Sequence, residues 1–207
     1  MKKPKFFFFD LGKVLLEFDH RIACQNIGGL CNRSEDFIQK LIFESDLQSR
    51  YENGELSSRE FHKHLCRLTG VEMDFQQLCI AASAIFRPNF SIFPIVTQLA
   101  AAGKKLGILS NTCDAHWQYA INGRYRILND LFDNYQLSFE ARCSKPDREF
   151  YDRAIESTGF EPGEIFFVDD RSENVEGARI AGMDAVLYTD AAKLTRDLVQ
   201  RSALSVI

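Results

Sequence analysis

The chain has 207 residues, 45% hydrophobic and 26% charged, with a formal net charge of -4. At roughly 150 residues per domain this allows one large domain, or one medium domain with an insert, and a core that needs neither disulfide nor structural metal. Such a composition excludes disordered, collagen-like and coiled-coil chains, and it lacks the basic surplus of a phosphate-backbone binder, so nucleic acid is not an expected partner.

Lys2-Lys3-Pro4-Lys5 precedes the short apolar run Phe6 to Phe9, which falls far short of a signal peptide's apolar region or a membrane span. A cytoplasmic protein without a membrane partner is the expectation. The run itself predicts a strand buried on both faces that opens at Asp10 and Gly12 into a loop. From Asp19 to Phe90 the pattern is helix after helix. Ser34 caps one, Ser57-Ser58-Arg59-Glu60 is a capping box for another, Asp74 to Gln77 starts a third, and Asn53-Gly54 is a turn between two of them. Pro88 and Pro94 mark the return to the sheet.

A helix over Ile92 to Ala102, closed by Gly103, leads to the strand Lys105 to Leu109, which runs into Ser110-Asn111-Thr112. Asp147 to Thr158, closed by Gly159, is followed by the strand Ile165 to Val168 and then Asp169-Asp170. Glu173 to Ala181, closed by Gly182, precedes the strand Ala185 to Tyr188. This alternation predicts an α/β fold, a three-layer Rossmann-like parallel sheet core made of residues 1–18 and 91–207, interrupted by a helical insert at 19–90. The six cysteines contain no CxxC pair and read as buried free thiols, and the four histidines show no metal-ligand spacing.

Polar groups at the carboxyl ends of parallel strands converge on one crevice. Here these are Asp10, Ser110 and Asp169-Asp170, with Lys145 in the loop Cys143-Ser144-Lys145-Pro146-Asp147 able to reach the same place. Three gathered carboxylates repel one another at low dielectric, so a divalent cation is the natural neutraliser, and oxygen ligands favour magnesium. A hydroxyl and an ammonium beside it make a site shaped for a phosphoryl group.

Four stretches in this order resemble the motifs of the haloacid dehalogenase-like hydrolase superfamily, in the branch with a helical cap after the first strand. They are Phe9-Asp10-Leu11-Gly12-Lys13-Val14-Leu15, Leu109-Ser110-Asn111-Thr112, Ser144-Lys145-Pro146-Asp147, and Val168-Asp169-Asp170 with Glu173-Asn174 and Gly177-Ala178. The cap stretch Tyr51-Glu52-Asn53-Gly54-Glu55-Leu56-Ser57 is similar to that of bacterial sugar-phosphate phosphatases linked to hexose 1-phosphates. The resemblance implies a magnesium-dependent phosphomonoesterase for a small phosphorylated metabolite, working through an aspartyl-phosphate on Asp10. It implies Asp10, the Gly12 carbonyl and Asp170 as magnesium ligands with Asp169 close by, Ser110 and the Asn111 backbone on phosphate oxygens, and Lys145 against both Asp10 and the phosphoryl group. Asn174 would orient the last loop. Gly12 departs from the pattern, because most phosphatases of the superfamily place there a second Asp that serves as general acid; Asp169, Glu17, a metal-bound water or a cap residue such as His20 could replace it. The alternatives are a 2-haloacid dehalogenase-type hydrolase, disfavoured by the acidic pair, and a non-catalytic binding module of the same fold. Oligomeric state is open.

Overall fold

The computed structural model describes residues 3–204; the basic start at Lys2 and the last core residues, 205–207, lie outside the described residues. In chain order the elements are β1 (Phe6–Phe9), β2 (Leu16–Phe18), α1 (His20–Cys31), α2 (Glu35–Phe43), α3 (Leu47–Glu52), α4 (Ser58–Thr69), α5 (Phe75–Ser83) and β3 (Phe86–Pro88). There follow α6 (Phe93–Ala101), β4 (Lys105–Ser110), α7 (Asp114–Ile121), α8 (Arg126–Leu131), β5 (Asn134–Leu137) and α9 (Ser138–Ala141). The chain closes with α10 (Arg148–Thr158), β6 (Ile165–Asp169), α11 (Ser172–Ile180), β7 (Asp184–Leu187) and α12 (Ala191–Gln200).

Five strands form a parallel sheet in the order β5-β4-β1-β6-β7. Each phenylalanine of β1 is buried, as a run without polar alternation requires when both faces are covered. Phe7 and Phe9 pack into one apolar cluster with residues of α6, α7, α8 and α12, while Phe6 and Phe8 join a second with residues of α10 and α11. The sheet is thus the middle of three layers. A third cluster, built from α1 to α5, gathers Cys24, Ile27, Ile38, Ile42, Tyr51 and Leu65.

The expected caps are present: Ser34, Ser57 and Asp74 accept from the third residue beyond each, and Ser57 with Glu60 forms the full capping box. Two features were not expected. Antiparallel pairing of β2 with β3 makes a short ribbon at the junction between the helical segment and the sheet, and β5 adds an edge strand whose residues Asn134 to Gln136 are only half-buried. Among the cysteines, Cys79 and Cys143 are partly exposed, not buried as expected, and all six are free.

Candidate active site

β1 lies between β4 and β6, with Phe9 opposite Ile108 on one side and Val168 on the other. Chain direction across the sheet switches at β1, so a crevice opens beyond its carboxyl end. Asp10 is the first residue past β1, Ser110 ends β4 and Asp169 ends β6. The backbone N–H of Asp10 donates to the Val168 carbonyl at 3.0 Å, extending the ladder by one residue and fixing where the carboxylate emerges.

Carboxylate oxygens of Asp10, Asp169 and Asp170 lie within 4.8 Å of one another. The Lys145 ammonium sits among them, donating to Asp10 Oδ1 at 2.8 Å, to Asp169 Oδ2 at 2.6 Å and to the Leu109 carbonyl at 2.8 Å. All three of its protons are thereby engaged. The Asn111 side chain holds the Lys145 backbone from both sides, donating to its carbonyl and accepting from its N–H, each at 2.8 Å. The second and third motifs are thus tied to each other, which explains how a loop lysine is held in place while 4% exposed.

Asp169 is fully buried and accepts from Lys145 Nζ, from the Arg171 N–H at 2.8 Å and from Asn174 Nδ2 at 3.0 and 3.1 Å. Asn174 therefore positions the acidic loop, as expected. Asp10 accepts from the Leu11 N–H and from Lys145, both at Oδ1, leaving Oδ2 with no donor among the described residues. Burial pushes the Asp10 carboxyl up, to about 7; Lys145 opposes the rise, and Asp169 and Asp170 add to it. Burial by itself would lower Lys145, but Asp10 and Asp169 override it and raise the ammonium. Asp170, half-buried, is also raised, by burial first and by Asp169 second.

Above these groups, between the strand ends and the helical segment, lies a cavity of about 60 Å³ whose lining includes Gly12, Ser110, Asn111, His20, His116 and Glu52. Phe18 explains the glycine at position 12, since a Cβ there would stand 2.7 Å from its ring. Among the residues expected to replace the missing acid, Asp169 is committed as an acceptor. Glu17 sits on β2 between Leu16 and Phe18; Phe18 lines the cavity, so the alternation of side chains turns Glu17 away from it, toward Lys13 at 3.6 Å. His20 does line the cavity, and its Nδ1 is buried without a partner. Two lining residues, Glu52 and His116, are not among the groups expected from the sequence.

The haloacid dehalogenase-like hydrolase family model matches residues 4–182, and the chain belongs to that family of hydrolases. It is 26% identical to the D-ribitol-5-phosphate phosphatase of Bacteroides thetaiotaomicron over 195 residues, 92% of this chain and 94% of that protein. A haloacid dehalogenase family enzyme from Bacteroides thetaiotaomicron, solved with magnesium and inorganic phosphate, superposes with a TM-score of 0.80 at 23% identity, covering 90% of this chain and 95% of that one. The L-2-haloacid dehalogenase of Xanthobacter autotrophicus, solved with chloropropionic acid covalently bound, shares the fold with a TM-score of 0.64 at 20% identity, over 98% of this chain and 85% of that one.

Proposed function

We propose that the protein is a magnesium-dependent phosphomonoesterase that hydrolyses a small phosphorylated metabolite, a sugar or polyol phosphate, through an aspartyl-phosphate. The observation that carries this reading is the trio Asp10, Asp169 and Asp170 around one lysine, three carboxylates against a single ammonium. A halide-releasing site has no need of such an excess of negative charge. The relatives add support, since one is a phosphatase of a polyol phosphate and another was solved with magnesium and phosphate.

The donor set fits magnesium: hard oxygens, gathered closely, around an Asp10 carboxyl that burial, with Asp169 and Asp170 adding to it, raises to about 7, so that a cation beside it would favour the ionised form. Asp10, the Gly12 carbonyl and Asp170 would hold the ion, with Asp169 beside it. When bound, the ion supplies positive charge to the phosphoryl oxygens and to the Asp10 carboxylate. Asp10 attacks phosphorus through Oδ2, the oxygen without a donor, and the bond to the leaving oxygen breaks. Ser110 and the Asn111 backbone bind phosphate oxygens, and Lys145 holds Asp10 in line while its charge stabilises the transferred group. Residues 19–90 form a cap over the core made of 1–18 and 91–207, and the cap shapes the space for the leaving group.

Phosphate release from a panel of sugar and polyol phosphates, with magnesium and with a chelator, tests the reading. Turnover should require magnesium and vanish in Asp10→Asn, with the fold retained by circular dichroism. Undiminished turnover in that variant, or metal-free halide release from 2-haloacids, overturns it.

A further inference from the structure

Glu52 is the last residue of α3 and faces the same cavity as Gly12, Ser110 and Asn111. Three ties hold it there. Ser138 Oγ accepts from the Thr112 N–H at 2.9 Å and donates toward the Glu52 carbonyl at 2.6 Å, so the helix end is pinned to the loop that follows Ser110. Gln48 Nε2 donates to Glu52 Oε1 at 2.6 Å and orients the carboxyl from one turn back. Gly54, at φ 68°, lets the chain leave α3 pressed against α9, where a Cβ would stand 2.0 Å from the Phe139 carbonyl. These contacts place an acid from the helical segment over the strand ends, while Phe18 fills the space a side chain at position 12 would use.

We propose that Glu52 is the proton-transfer residue that the site lacks at Gly12. This rests on the phosphomonoesterase reading. In the first half-reaction the Asp10–phosphorus bond forms, the bond from phosphorus to the leaving oxygen breaks, and the proton of the Glu52 carboxyl passes to that oxygen, releasing the alcohol. In the second, Glu52 carboxylate takes a proton from water as its oxygen bonds to phosphorus and the Asp10–phosphorus bond breaks, releasing phosphate and restoring both side chains.

The surroundings suit the role. Burial raises the Glu52 carboxyl above the usual glutamate value, in the direction a proton donor needs, while Gln48 and the Arg171 guanidinium moderate the rise. Cys113 faces the carboxyl as a thiol that burial keeps protonated. The two histidines of the cavity are driven the other way, His20 lowered by burial and Lys13, His116 lowered by burial to about 4. Both are therefore neutral at pH 7 and poor proton donors, leaving Glu52 as the acid among the titratable groups that line the cavity.

Single-turnover rates of wild type, Glu52→Gln and Glu52→Asp, measured with magnesium on p-nitrophenyl phosphate and on D-ribitol 5-phosphate and other primary alkyl phosphates, decide it. A nitrophenolate leaves without a proton and an alkoxide does not. Glu52→Gln should therefore raise the ratio of aryl to alkyl rates about 10²-fold, and Glu52→Asp should restore part of the alkyl rate. The fall of the alkyl rate at high pH, present in wild type, should disappear in Glu52→Gln. Equal losses on both substrates, an unchanged ratio, or a wild type that cleaves aryl but no alkyl phosphate overturns the proposal. Melting temperatures guard against misfolding. Failure of the underlying reading looks different: wild type then releases no phosphate from any substrate, or Asp10→Asn is as active as wild type.

Discussion

Gly54 and Gly70 end successive helical elements with nearly the same backbone, φ 68° and 73°, yet only the first touches anything: a Cβ at Gly54 would meet the Phe139 carbonyl at 2.0 Å, whereas one at Gly70 has nothing within 4 Å. The pair separates backbone strain from contact. Gly70→Ala costs the left-handed conformation alone, about 1–2 kcal/mol. Gly54→Ala bears the same strain and must also push backbone against backbone, which no rotamer change relieves, so about 2–5 kcal/mol is expected once a further strain of about 1–3 kcal/mol is added. At roughly 2–4 °C per kcal/mol for a chain this long, Gly70→Ala should melt about 2–8 °C below wild type and Gly54→Ala about 4–20 °C below, always further than Gly70→Ala by the cost of the contact. Calorimetry with fluorescence of Trp117, buried in the core, would record both. Single-turnover assays on an alkyl phosphate should show Gly54→Ala impaired and Gly70→Ala near wild type, because only the former moves Glu52. Equal destabilisation of the two variants would refute the view that the end of α3 is seated on α9.

Lys145→Met removes the ammonium held between Asp10 and Asp169, leaving buried carboxylates without their counter-charge; urea unfolding at pH 7.5 in chelator should show a loss of about 3–5 kcal/mol, and a loss below about 1 kcal/mol would contradict the ion-pair geometry. His116 is buried and lowered from 6.5 to about 4, so between those values the unfolded chain takes up a proton that the folded protein refuses. Its contribution is intact above pH 7 and declines as pH falls through that window, by about 2 kcal/mol at pH 5. The stability advantage of wild type over His116→Gln should shrink by that amount between pH 7.5 and 5, and a constant difference would show that the ring is not held neutral.

What the sequence reveals depends on how local the cause is. Phe6 to Phe9 and Ile165 to Val168 are read as buried strands because no polar residue interrupts them, and the groups just beyond them, Asp10 and Asp169-Asp170, inherit their positions from the sheet register. Ser34, Ser57 and Asp74 announce helices through bonds that span three residues. By contrast β5 reads Asn-Tyr-Gln-Leu, an edge strand with half-exposed polar positions, and β2 and β3 carry Glu17, Arg87 and Pro88 in three residues each, so periodicity has too little length to register. Gln48 orients the Glu52 carboxyl from one turn back, but the seating of the end of α3 depends on Ser138, 86 positions from Glu52, and no local pattern encodes that.

The division between these two kinds of position has a chemical consequence. Asp10, Ser110 and Asp169 hang from three neighbouring strands of one sheet, so their spacing is set by the ladder and varies little with what is bound. Glu52 depends instead on side-chain ties to Gln48 and Ser138 and on the close approach at Gly54. Under the proposed reading, the groups that treat the phosphoryl oxygens are rigid, and the group that treats the leaving oxygen is carried by the helical segment that shapes the substrate's space. Substitutions in that segment would then alter leaving-group chemistry and substrate choice together while the carboxylate trio stays in place, and a helical segment moved away from the strand ends would leave Asp10 able to attack but no proton to complete the release.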